Sequence, residues 1–300
     1  MYIIIMDEFV TYINQFKLDK SDVKSPKTHT IIPDPSNKKI YSLKWGGSYN
    51  IDNSHLSEFN NSIKDILEKN PDITIPITET FRDICPLLID IDIEYKNPDN
   101  KERFYTNDTI KHLLKILWPK INYYFDCDDK NKHECWITEK ITPNISEKGD
   151  VKDGLHLVFP NILGKTKIFK EFMKSFNKNE DFCKDLIEIF KNTSKYNMIP
   201  STDVSKIIDT NVQRWFTYGC GKTGKDGVAR PYLLTQIYNC ATLEIIDKKY
   251  TNIEIMEKIC LQNKFENNVI YKNNIDKTET LKKSTSVSTF SMFDESSDEE

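Results

Sequence analysis

No apolar run in this chain approaches the length of a bilayer-spanning helix, so a membrane-embedded protein is not expected. The seven cysteines, at positions 85, 127, 135, 183, 220, 240 and 260, fall in no paired spacing. That excludes a disulfide framework and makes a reducing, intracellular setting the expectation. The opening Met1-Tyr2-Ile3-Ile4-Ile5-Met6 lacks the basic start and the length of a signal peptide and runs directly into Asp7-Glu8. Glycine is scarce, 9 in 300 residues, and no internal repeat is visible. An excess of one charge is also missing. The formal net charge is −4, yet Asp294, Glu295, Asp298, Glu299 and Glu300 sit in the last seven residues, and without them the balance becomes +1. The total therefore leaves a nucleic-acid partner open, because phosphates respond to local surface and not to the sum.

The length allows one large or two modest domains with a real core. Apolar spacing predicts helices over residues 6–16, 54–70 (with Ser54 as N-cap), 107–125, 166–190 and 253–261. Strands are expected at 28–32, 39–43, 86–95, 135–139, 154–159, and as a pair at 215–218 and 232–238, with a turn at 33–37. Interleaved strands and helices imply an α/β or α+β class with a mixed or antiparallel sheet flanked by helices. We expect one domain over 1–263, with its motif core at about 75–245. Residues 264–300 read as a linker and an acidic, Ser-rich disordered tail.

The most informative segment is Pro86-Leu87-Leu88-Ile89-Asp90-Ile91-Asp92-Ile93-Glu94-Tyr95. Alternation places Asp90, Asp92 and Glu94 on one face of a strand and Leu87, Ile89, Ile91 and Ile93 on the other. A solvent-facing strand would account for that pattern alone. If the carboxylates are packed in, they repel and lose hydration, and a hard divalent cation such as magnesium or manganese resolves both costs. Further on, Lys152-Asp153-Gly154-Leu155-His156-Leu157-Val158-Phe159-Pro160 sets a histidine two residues after a glycine, which permits close backbone approach. A strand histidine is more often structural, although it can donate to a phosphate. Ile207-Ile208-Asp209-Thr210 offers another carboxylate, which alone could be a cap or turn residue.

In this order, the Asp-x-Asp strand, the Gly-x-His strand and the aliphatic-Asp turn resemble the three motifs of the archaeo-eukaryotic primase superfamily. The likeness tightens toward the primase domain of the poxvirus-type primase–helicases of large DNA viruses. Thr28-His29-Thr30, Glu79, Ile137-Thr138-Glu139-Lys140, Trp215-Phe216-Thr217-Tyr218-Gly219 and Tyr232-Leu233-Leu234-Thr235 support it, so that it covers about residues 25–245. The resemblance implies a catalytic core in which Asp90, Asp92 and Asp209 bind two Mg2+ or Mn2+ ions and His156, beside Gly154, holds the incoming nucleotide. Lys140, Arg214 and Lys222 become candidates for phosphate or template contacts, and Trp215 and Tyr218 for the nucleic-acid side. Glu94 lies outside the matched pair. The implied activity is primer synthesis on single-stranded DNA from ribo- or deoxyribonucleoside triphosphates, beside a replicative helicase domain or subunit, in the cytoplasmic replication compartment of a virus-infected host. The competing expectations are a two-metal nuclease and a non-catalytic DNA-binding or assembly module.

Two other signals are weaker. Gly219-Cys220-Gly221-Lys222-Thr223 contains Gly-Lys-Thr, but a phosphate loop needs glycine at 216, where Phe216 stands, so a basic loop between strands is expected. Cys127, His133 and Cys135 lie close enough in sequence to suggest a structural zinc, although a fourth ligand would have to come from afar, for example Cys85 or Cys183.

Overall fold

The computed structural model describes residues 2–19, 26–32, 46–69, 74–96, 102–146, 149–224, 226 and 228–263. The expected turn at 33–37, the expected strand at 39–43 and the tail from 264 lie outside the described residues. Every strand pairing among them is antiparallel, so the mixed-sheet alternative gives way to an antiparallel α+β architecture.

The larger sheet runs in the order β10 (Gly221–Thr223), β11 (Ala229–Asn239), β5 (Glu134–Lys140), β7 (Val151–Lys165), β4 (Ile84–Tyr95), β8 (Ile208–Asp209), with β6 (Asn144–Ile145) added on β7. Its centre is the β4–β7 pair, which stays in register from Leu87↔Phe159 to Tyr95↔Val151 and slips at Pro86, where proline cannot donate to the ladder. Leu87, Ile89, Ile91, Ile93 and Tyr95 are buried on one face, as alternation requires. Helix α3 (Asn107–Tyr124) supplies Ile110, Leu113, Leu114, Leu117 and Ile121 to the core, and α5 (Glu180–Thr193) packs on α3. Thr106 caps α3 with a reciprocal bond to Thr109, and both hydroxyls donate to Thr193 O at the end of α5.

A smaller sheet takes the order β2 (Gly47–Tyr49), β1 (His29–Ile31), β3 (Ile77–Thr80), β9 (Arg214–Phe216). Against it lie α1 (Tyr2–Asn14), α2 (Leu56–Lys69) and α6 (Asn252–Ile259), with Phe9, Phe59 and His29 in ring contact and Cys260 bonded to Glu79. No helix of the described residues is long and apolar enough to cross a membrane.

Four expectations are corrected. The single helix over 166–190 is two, α4 (Thr166–Asn177) and α5, because Asn179 leaves helical geometry and its Oδ1 caps Phe182 N at 2.8 Å. The strands near 215 and 232 do not pair with each other: β9 joins β3, and β11 lies between β5 and β10. Residues 221–223 are strand β10 and not loop. Ser54 is not the cap of α2; its N–H and hydroxyl both donate to Asp52 Oδ1, at 2.8 and 2.5 Å.

Candidate active site

Strand register assembles the three motifs. Asp90 on β4 faces His156 on β7 across one ladder and Asp209 on β8 across the other. Directly opposed residues share a face, so Asp209, Asp90 and His156 form one row across three strands. The row continues through Thr138 on β5 to Leu234 on β11. One step along, Asp92 faces Gly154, and Lys140 faces Tyr232. Residues separated by more than a hundred positions thus meet because β8, two residues long, closes the edge beside β4.

The site is half enclosed. The Asp90 side chain is 18% exposed, and its Oδ1 has no hydrogen-bond partner. Burial holds its carboxyl well above the usual carboxylate range, and the Asp92 charge adds to this while Lys140 opposes it. Asp92, 32% exposed, faces Lys152 Nζ across 3.4 Å. His156 Nε2 lies 3.6 Å from Asp90 Oδ1, beyond hydrogen-bond range. Burial, helped by the Lys140 charge, pushes the His156 pKa well down, so the imidazole is neutral and the contact is not an ion pair. Its ring stacks on Tyr232 at 3.7 Å and 11° and packs on Trp215 at 4.0 Å. A neutral, ring-clamped histidine has one N–H to donate and little freedom to move. Lys140 is lowered by burial, against the pull of Asp92, Asp153 and Asp90, and its Nζ lies 5.2 Å from the Tyr232 ring centre.

Gly154 has a reason in the fold itself. A Cβ there would stand 2.5 Å from Ile91 O and 3.2 Å from Asp92 Oδ1. The glycine is needed for strand contact as β7 crosses the carboxylates, which accounts for it without any ligand.

Of the remaining candidates, Trp215 meets the row at the His156 ring. Arg214 and Lys222 are exposed, on β9 and β10. Trp215 and Tyr218 are buried, at 4% and 6%, so their rings pack inside the fold. Tyr218 O–H lies 3.4 Å from both Asn252 Oδ1 and Leu234 N. Glu94 faces Lys152 across the ladder, one step beyond the carboxylate pair. Sequence reading missed Lys152 as a partner of Asp92, and Tyr232 as the ring under His156. Lys152 stood four residues before His156, and the β4–β7 register would have found it.

Among the described residues, no three His, Cys, Asp or Glu side chains converge closely enough to hold a metal. For zinc the disagreement is chemical. Burial, with Cys240 beside it, holds the Cys135 thiol far from ionising, and His133 Nε2 bonds Cys127 O at 2.9 Å. Those residues do not fit a zinc site. The residues Asp90, Asp92 and Asp209 do fit a divalent cation in chemistry: hard oxygen donors on one face, an orphaned buried carboxylate oxygen, and like charges that a cation would relieve.

Comparison with known families places residues 40–238 within the model for the C962R protein N-terminal AEP domain, the archaeo-eukaryotic primase type. No curated protein matches the chain. The matched span holds Asp90, Asp92, Gly154, His156 and Asp209 and covers well over half of the sequence, and the chain therefore belongs to the C962R-type AEP primase domain family.

Proposed function

We propose that this chain is a DNA-templated nucleotidyltransferase that makes primers on single-stranded DNA from nucleoside triphosphates. The observation that carries this reading is the Asp209–Asp90–His156 row with Asp92 and Lys140 beside it, inside a primase-family span. Asp90, Asp92 and Asp209 would hold magnesium or manganese, which when bound supplies Lewis-acid activation and neutralises phosphate charge. The chain's own groups do the rest. His156, held neutral and clamped by Trp215 and Tyr232, donates one N–H to a phosphate oxygen of the incoming nucleotide. Lys140 sets a positive charge beside it, and Lys152 balances Asp92 before substrate arrives. Exposed Arg214 and Lys222 are available to the template backbone. In the cell, the domain works beside a replicative helicase domain or subunit, in the cytoplasmic replication compartment of a large DNA virus.

The test is primer synthesis on a single-stranded template with Mg2+ or Mn2+, comparing the parent chain with an Asp90→Ala, Asp92→Ala double variant. Synthesis should fall to background while template binding persists or improves, since repulsion of phosphates is relieved. Degradation of DNA without incorporation would mean a nuclease. Binding with neither reaction would leave an assembly module.

A further inference from the structure

We propose that Arg103, which no motif contains, is the positioning residue for the nucleotide half of this site. Behind the sheet, opposite the carboxylate face, Arg103 joins the ends of two strands. Its Nε donates to Asp153 Oδ2 at 2.9 Å, and Nη2 reaches Asp153 Oδ1 at 3.4 Å, so the guanidinium grips β7. Its Nη1 donates to Glu139 Oε1 at 2.8 Å and Nη2 to Lys140 O at 2.5 Å, so the same fork grips β5. Tyr105, whose ring lies 4.9 Å from the guanidinium carbon, repeats the connection: its hydroxyl is 2.7 Å from Glu139 Oε1 and 3.4 Å from Gly154 O. Asp153 Oδ1 in turn accepts from Gly154 N at 2.9 Å, and Thr235 Oγ1 bonds Glu139 Oε2 from β11.

Alternation gives this cluster its consequence. Asp153 and Glu139 point back, so the next residues, Gly154 and Lys140, present forward, followed on β7 by His156. The β5–β7 ladder pairs Thr138 with His156 and ends at Glu139↔Leu155, and the planar fork, with its fixed donor directions, holds the strand ends beyond it, at Lys140 and at Asp153-Gly154. It bonds no atom of β4, which carries Asp90 and Asp92. The β4–β7 ladder, which pairs Asp90 with His156, supports both halves of the site, and the Arg103 fork adds a second support to the phosphate-facing half alone. This inference deepens the proposed function and rests on it.

The experiment measures nucleoside triphosphate affinity by calorimetry and Mn2+ affinity by electron paramagnetic resonance, for the parent chain, Arg103→Lys and Tyr105→Phe. Lysine keeps the charge and loses the fork; phenylalanine keeps the ring and loses the hydroxyl, so a folded protein remains if the first variant melts. We expect triphosphate affinity to fall by roughly tenfold in Arg103→Lys, the worth of one charge-assisted hydrogen bond, and less in Tyr105→Phe. Mn2+ affinity should stay at the parent value. Unchanged triphosphate affinity in the folded variants overturns the inference, and so does a parallel loss of both affinities, which would mark general destabilisation. Failure of the parent chain to bind any triphosphate would instead overturn the functional reading itself.

Discussion

Single residues decide whether the site exists, and two substitutions separate chemistry from packing. Gly154→Ala would press a methyl group against Ile91 O and Asp92 Oδ1. Backbone is the nearer obstacle, so β7 must lift from β4, at about 1–3 kcal/mol by the usual cost of overpacking. Denaturant melting should show that loss, with primer synthesis falling alongside; unchanged melting would mean the strands have room. Glu79→Gln tests a charge outside the site. Burial pushes the Glu79 carboxyl up from 4.5 to about 7, against hydrogen bonds from Cys260 and Leu261. Between those values the folded chain holds a proton that the unfolded chain has released, so its contribution is intact below pH 4.5 and lost as pH rises through 7. The glutamine variant has no such slope. By pH 8 it should be the more stable protein by up to about 3 kcal/mol, at about 1.4 kcal/mol for each pH unit that separates the folded from the unfolded carboxyl; parallel pH curves would refute this. At this scale the sequence was most readable where the period was two: Asp90, Asp92 and their buried aliphatic partners follow from alternation alone. Lys152 against Asp92 and Tyr232 against His156 were not readable, because cross-strand register is fixed by the whole ladder.

At the scale of elements, boundaries marked by caps were legible and partnerships were not. The span expected for α3, 107–125, matches Asn107–Tyr124, because Thr106 and the apolar rhythm from Ile110 announce it. The break between α4 and α5 was hidden, since Phe176 and Phe182 continue an apolar pattern across it; in the fold these rings stack at 4.7 Å, on opposite sides of the turn. Asn179→Ala removes the cap from Phe182 N and should cost about 1 kcal/mol in denaturant melting, as N-cap losses do. An unchanged melt would mean that aromatic stacking alone sets the break. Strand partnership was misjudged between 215 and 238 because neighbours in sequence suggest a hairpin. Gly221–Thr223 takes the edge of β11 instead, with Gly221 seated where a Cβ would lie 2.2 Å from Arg230 O. That displacement sends β9 to β3 and lets Trp215 reach His156.

Over the whole molecule, the two sheets are joined at Trp215, and the smaller sheet is held in turn by the end of the described chain. Leu261 N donates to Glu79 Oε2 at 2.6 Å, Cys260 Sγ lies 3.3 Å from the same oxygen, and Gln262 Nε2 donates to Thr80 O at 2.7 Å. Leu261 is fully buried, and Glu79 faces Trp215 across the β3–β9 ladder. A chain ending at 263 keeps all of these contacts, whereas one ending at 259 loses them together. The chain ending at 263 is the reference for the comparison. The shorter should lose about 2–5 kcal/mol, from one buried leucine and the hydrogen bonds that Glu79 takes from Cys260 and Leu261. It should also lose synthesis beyond what melting explains, because β3 no longer holds β9 and its Trp215 against the His156 ring. Equal activity per folded molecule in the two truncations would show that the catalytic row stands without the smaller sheet.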